Sequence, residues 1–271
     1  MLELDFYDEE LVYDNGQIGQ AIYVGEQDFP YPMGKLIAPE FISNEEYHKV
    51  EGISASGLKM AYKDPKLYDL RGLLKRVPSP ALDIGTAIHE ALLEPEKFDI
   101  NNYNLTKANI EKLEIMIHNG KLMFDYITSE TMNEMSLFVQ DEGFIRKVRA
   151  DAYDAEKGII YDVKSTRYNS PSKFMNDAFD LGYHLQSSFY LDSFRLAGLK
   201  ADYFAFLVIP SESPCEPFAV QITDRFVEDG RGTYTEVIEN IIAYDQSRKS
   251  VYFKVMDLPT WRLKQLGEID E

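Results

Sequence analysis

Apolar and polar positions change period several times along the 271-residue chain. Ser43-Asn44-Glu45-Glu46 reads as a helix start, and Ser54 as the N-cap of a helix that ends at Tyr62, ahead of Asp64-Pro65. A short helix is predicted over residues 65–74, with Pro65 in its first turn. Asp83 is taken as the cap of a helix over residues 84–93, where Ile84, Ile88, Ala91 and Leu92 form one stripe before Pro95. Residues 109–118 have helical spacing, Gly120 is read as their stop, and 121–127 as a further helix. Residues 132–140 alternate as a strand. In the stretch 148–166, a strand-like half ends at Asp154, Ala155-Glu156-Lys157-Gly158 supplies a turn, and Ile159-Ile160-Tyr161 restarts a β-rich run. Helices over 172–178 and 183–197 follow, the second closed by Gly198. Strands are predicted at 203–209 and 218–222, and one long helix over 225–248, with Gly230 and Gly232 as points of interruption. The pattern predicts an α/β fold with a central mixed β-sheet flanked by helices.

Composition narrows the class. With 45% hydrophobic and 13% aromatic residues, the chain can fill a core. No run of 18 apolar residues points to a membrane span. The acidic N-terminus lacks the charged-then-apolar order of a secretion signal, so a cytoplasmic protein is expected, that of the host cell if the gene is phage-borne. A single cysteine, Cys215, excludes an internal disulfide and any four-cysteine zinc or iron–sulfur site. The net charge of −18 argues against a general nucleic-acid coat protein. The charge is uneven: residues 1–50 hold eleven acids against Lys35 and Lys49. Residues 1–42, with scattered glycines and prolines, read as an acidic appendage to a domain over 43–271. Lys59, Lys63, Lys66, Arg71, Lys75 and Arg76 face only Asp64 and Asp69, and this basic run is either a guide for a DNA duplex or a solvated helix face.

The candidate chemistry begins with the 148–166 hairpin. A two- or four-residue loop makes opposed residue numbers sum to 313, setting Asp151 across from Asp162 and Arg149 across from Lys164. One face then carries two carboxylates and a lysine, a repulsive pair that a bound Mg²⁺ or Mn²⁺ would relieve. A one-residue shift of register would abolish the pair. Taken singly, each feature has an ordinary reading: a wet charged hairpin, a buried His89 one turn after Gly85, and a surface pair Gln186 and Tyr190 at i, i+4.

The order of the motifs is more specific. Ser54-x-Ser56-x-x-Lys59 is followed by Gly85-Thr86-x-x-His89-x-x-x-Leu93-Glu94-Pro95, then Arg149-Ala150-Asp151, Asp162-Val163-Lys164-Ser165-Thr166, and Tyr183-His184-x-Gln186-x-x-x-Tyr190. This order resembles the PD-(D/E)xK nuclease superfamily, in its RecB-type branch, and most closely the phage and prophage exodeoxyribonuclease VIII (RecE-like) nuclease domain, over residues 43–250. The resemblance implies a restriction-endonuclease-like core and a Mg²⁺-dependent double-strand DNA exonuclease, 5′→3′, working in phage recombination beside a single-strand annealing protein. It implies metal ligation by His89, Asp151, Asp162 and the Val163 carbonyl, activation of water by Lys164, and support from Gln186 and Tyr190. Glu134 falls where relatives often place an acid leading into the hairpin. Contacts to DNA are expected from Lys59, Lys63, Lys66, Arg71, Arg149 and Ser165, and a ring-shaped homo-oligomer would line a channel with the basic run. A related endonuclease or flap nuclease, and a catalytically silent DNA-binding or inhibitory homologue, are the competing readings.

Overall fold

The fold comes from a computed structural model that describes residues 29–71 and 79–247. The order of elements is β1 (Leu36–Ile37), α1 (Asn44–Lys49), β2 (Ile53–Ser54), α2 (Ala55–Lys63), α3 (Pro65–Asp69), α4 (Pro80–Leu93), α5 (Lys107–Glu130), β3 (Met132–Asp141), β4 (Phe144–Asp154), β5 (Ile159–Thr166), α6 (Pro171–Asp180), α7 (Tyr183–Leu196), β6 (Tyr203–Pro210), β7 (Phe218–Gln221) and α8 (Asp224–Ser247). The strands form one mixed sheet in the order β1-β3-β4-β5-β6-β7, with β2 beside β4. β5 and β6 are parallel, as are β2 and β4, and the other neighbours are antiparallel. The mixed α/β architecture expected from the hydrophobic pattern is the one observed.

Helices cover both faces. On one side α2, α6, α7 and α8 pack against Leu137, Val148, Ile160, Phe204 and Phe206. On the other α4 and α5 pack against Ala152, Val163, Leu207 and Ile209. The alternation slips where Met132–Met135 of β3 runs beside Ala150–Tyr153 of β4. Met132 and Met135 lie three apart on β3, yet both pack on the α7 side, as do Ala150 and Tyr153 on β4. A regular strand would send such pairs to opposite faces. Glu134, between the two methionines, takes a left-handed φ of +54°. Leu36, Ile37 and Ile42 are buried, and β1 pairs with the middle of β3, so the sheet and its core reach back into the segment before residue 43.

Local signals set most helix ends. Ser43 and Glu46 form a capping box at α1. Ser54 caps α2, its Oγ accepting from Gly57 N at 3.3 Å. Several boundaries differ from the sequence expectation. α3 spans Pro65–Asp69, the Leu70 amide closing it on the Lys66 carbonyl, and residues 72–74 of the expected helix lie outside the described residues. α4 starts at Pro80 with Ser79 as its cap, so Asp83 lies inside its first turn. α5 runs unbroken through Gly120. A Cβ there would lie 2.8 Å from Ile209 Cδ1, so this glycine serves close packing on β6 and is not a stop. α8 likewise continues through Gly230, where a Cβ would meet the His184 carbonyl oxygen at 2.0 Å. The glycine lets α8 cross α7 at backbone contact, fixed by Ser188 Oγ donating to the Val227 carbonyl at 2.8 Å.

Candidate active site

β4 changes partner along one edge. It pairs with β2 at Arg146 and Lys147, and with β5 at residues 152–154. The β4–β5 register sums to 313 as expected, but the ladder ends at Ala152↔Tyr161. Beyond it the strands fork, so the expected facing pair of Arg149 and Lys164 does not form. Side chains bridge the fork: Val163 N donates to Asp151 Oδ2 at 2.7 Å, and the Arg149 amide to the Tyr190 hydroxyl. The β3–β4 register, unbroken on either side, puts Glu134 opposite Asp151. Glu134 and Asp151 therefore lie across from each other, whereas the expected facing of Asp151 and Asp162 falls past the end of the β4–β5 ladder, and Asp162 reaches Asp151 only through its charge.

α4 lays His89 against Glu134 and Asp151. One ligand atom from each of His89, Glu134 and Asp151 lies within 4.8 Å of the others. His89 Nδ1 is 3.4 Å from Asp151 Oδ2, and the imidazole also donates to the Val163 carbonyl. Burial, and then the charge on Asp162, push the Asp151 carboxyl up to about 8. Burial, and then Asp151, push Glu134 up to about 7, although Arg149 Nε donates to Glu134 Oε2 at 2.9 Å. Burial, and then Lys164, hold His89 below its usual value. Two crowded, part-buried carboxyls and a neutral imidazole suit a divalent cation with oxygen and nitrogen ligands, whose binding would release the protons that crowding retains.

Asp162 is 2% exposed and faces two donors. Gln186 Nε2, from α7, donates to its Oδ1 at 2.6 Å, and the Lys164 ammonium pairs with its Oδ2. Burial opposes the lysine's charge, but the carboxylates of Asp162 and Asp151 hold Lys164 protonated beyond its usual range. The geometric triad thus contains Glu134, with Asp162 beside it in the hands of Gln186 and Lys164. Tyr190 is half-buried at the fork.

The residues expected to touch DNA do not form one surface. Lys59 turns inward and donates to Gln186 Oε1 at 2.8 Å, while Lys63 and Lys66 are exposed. Arg71 stacks on the Tyr68 ring at 4.0 Å and pairs with Glu51 at 3.7 Å. Arg149 is held by Glu134 and by the Ile42 carbonyl. Ser165 lies against α4, 3.5 Å from where a Cβ on Gly85 would sit. Lys75 and Arg76 lie outside the described residues, as do residues 1–28 of the acidic segment 1–42. The inward turn of Lys59 was hidden in the sequence by its basic neighbours; its one signal is a place one turn after the buried Ala55, at the edge of the buried face of α2.

Residues 54–251 match a family described as a PDDEXK-like domain of unknown function (DUF3799). The chain belongs to this family. The match spans every motif that carried the resemblance to the PD-(D/E)xK superfamily and bears that resemblance out. Among solved structures, the fold is similar to that of the "Putative exonuclease" from Eubacterium rectale, with a TM-score of 0.57 and 18% identity over 85% of this chain and 98% of that one. A phage related exonuclease from Haemophilus somnus 129PT is more distant, with a TM-score of 0.37 and 12% identity over 73% of this chain and 96% of that one. LHK-Exo in complex with dAMP stands at a TM-score of 0.36 and 12% identity, over 73% and 92%. No curated protein matches the chain significantly. Within the PDDEXK-like family, the described residues of this chain supply a histidine, three acids and a lysine at one end of the sheet, and none of their helices is long and apolar enough to cross a membrane.

Proposed function

We propose that this PDDEXK-like protein is a metal-dependent nuclease that hydrolyses phosphodiester bonds from the ends of double-stranded DNA, 5′→3′, with Mg²⁺ or Mn²⁺ as its ion. The observation that carries this reading is the convergence of His89, Glu134 and Asp151 within 4.8 Å, next to the Asp162–Lys164 pair. His89, Asp151 and Glu134 would hold the ion, with Asp162 and the Val163 carbonyl adjacent. The bound ion supplies charge for the phosphate in the transition state and lowers the pKa of water. Lys164, kept protonated by its carboxylates, orients the attacking water or neutralises the developing charge on the phosphoryl oxygens. Gln186 and Tyr190 hold Asp162 and the forked edge of β4 in place. Contacts to phosphates, not bases, suit an enzyme indifferent to sequence.

A protein with net charge −18 repels DNA wherever its surface is acidic, over a Debye length of about 8 Å at physiological salt. A closed ring of three or four copies would concentrate the exposed Lys63 and Lys66 on a lumen and turn acidic surface outward. The setting proposed is phage-type recombination, with a single-strand annealing protein as partner. The test is digestion of linear duplex with and without Mg²⁺, alongside Asp151→Asn. Metal-dependent loss of duplex that the variant lacks supports the reading. Equal digestion by the variant, or none by the native chain under any divalent ion, refutes it.

A further inference from the structure

We infer that Lys59 is a positioning residue of this site: its ammonium fixes the side-chain amide of Gln186, and through that amide the carboxylate of Asp162. The activity arm of the test below rests on the nuclease reading, and the spectroscopic arm does not. Gln186 is 6% exposed and bridges two groups. Its nitrogen donates to Asp162 Oδ1 at 2.6 Å, and its oxygen accepts from Lys59 Nζ at 2.8 Å. A lysine can only donate and an ionised carboxylate can only accept, so these two neighbours dictate which way the amide points. Without Lys59 the amide keeps its bond to Asp162 but loses the donor that holds its oxygen, so the group can swing about that single contact.

The placement of Lys59 is costly in a way that a surface role does not explain. Its ammonium lies 5.2 Å from the centroid of the Tyr183 ring, which Lys164 Nζ also approaches at 5.1 Å. Burial, and then the charge of Lys164, hold Lys59 down to about 8. The neighbouring Lys63 and Lys66 are exposed. A part-buried cation beside another cation costs desolvation and repulsion, which the hydrogen bond to Gln186 offsets. Here the bond is to an amide that donates to Asp162, whose second oxygen belongs to Lys164. Lys59 thereby completes a chain of four side chains that leaves Asp162 a single orientation.

The test is a double-mutant cycle on the full chain with Lys59→Met and Gln186→Met, the first near-isosteric and free of a charge to bury. Losing a hydrogen bond to a charged group should lower kcat by about 10- to 100-fold with KM for DNA unchanged. In the Gln186→Met background, Lys59→Met should cost less than about twofold further. Additive losses, or a rise in KM with unchanged kcat, mean that Lys59 acts elsewhere or on the phosphate itself, and either overturns the inference. The second readout needs no catalysis. In ¹H–¹⁵N spectra of the metal-free protein, the Gln186 side-chain NH₂ should be shifted and protected from exchange, and should lose both in Lys59→Met but not in Lys63→Met. An NH₂ signal indifferent to Lys59→Met overturns the inference. If the native chain cuts no DNA, the nuclease reading fails and the spectrum still decides the role of Lys59.

Discussion

The acids of the site make the stability of the metal-free protein fall as pH rises, and the size of the fall follows from the structure. Asp151 has its carboxyl pushed from an ordinary carboxylate value up to about 8. Its folded value is raised above its unfolded one, so its contribution is fully present at low pH and is lost as pH climbs through 8. His89, held low, works in the opposite sense below its own ordinary value near 6.5, and Lys59 and Lys147, each held down to about 8, oppose the fall only as pH nears 8, so the carboxyls dominate between these points. Each unit of pH costs about 1.4 kcal/mol per proton that the folded state retains and the unfolded state has released. Between pH 6.5 and 8, Asp151 should therefore remove roughly 2 kcal/mol, with a smaller share from Glu134, pushed up to about 7. For a chain of this size that is a drop in Tm of about 4–8 °C. The assay is thermal and urea unfolding in EDTA at the two pH values, for the native chain and Asp151→Asn. The variant mimics the protonated acid and should lose most of the slope. Mg²⁺ should also flatten it, because the ion replaces the protons. A native chain whose stability is level or rises across this window, or a variant with the native slope, would refute the electrostatic reading of the site.

Other outcomes follow from single contacts. Lys164→Ala should lower kcat by orders of magnitude while Mn²⁺ affinity, read by calorimetry, changes little; a collapse of metal affinity would mean the lysine is structural. Gly230→Ala should destabilise by about 1–3 kcal/mol or more in urea unfolding, since its Cβ would sit 2.0 Å from the His184 backbone oxygen, whereas Gly232→Ala, with open space around it, should be neutral or stabilising. Lys63→Glu with Lys66→Glu should weaken duplex binding and flatten its salt dependence; normal binding would leave these exposed lysines as a solvated helix face. Sedimentation at micromolar protein should give a closed oligomer, and a monomer that degrades long duplexes without dissociating would rule the ring out.

Much of the fold was legible because its signals are local. Ser43 with Glu46, Ser54 and Gly198 mark helix ends where short-range hydrogen bonds or a positive φ decide the conformation. The 313 register was legible because a turn of fixed length and a two-residue period leave one solution. Gly120 and Gly230 were misleading for the converse reason. In sequence a glycine is a helix breaker. In the structure each is the point where another element, β6 or α7, comes too near for a Cβ, and that nearness depends on residues some 90 and 46 positions away.

The site shows the same division more sharply. The motif residues lie on regular elements, so their spacing carried the information. What the spacing could not carry is the fork, where β4 leaves β5 after Ala152 because β2 already occupies its edge at Arg146 and Lys147. The fork decides which acid serves which partner. It turns Asp151 toward His89 and Glu134, and leaves Asp162 to Gln186 and Lys164. Had the ladder continued, Arg149 would have faced Lys164, two cations in contact across the strands. Instead Arg149 swings to Glu134 and the Ile42 carbonyl, and Lys164 is free to join Asp162. The slip of the pleat at Glu134 and Asp151 thus separates charges that a regular sheet would have crowded, and the same slip collects three possible ligands at one point. A substitution that restores regular backbone there should act on both at once. Glu134→Val removes the acid and favours an extended strand in place of φ +54°. Metal affinity should fall, and the β4–β5 ladder should gain protection from hydrogen exchange beyond Ala152. A variant that loses the metal while exchange at the fork stays native would show that the fork does not depend on the backbone at Glu134.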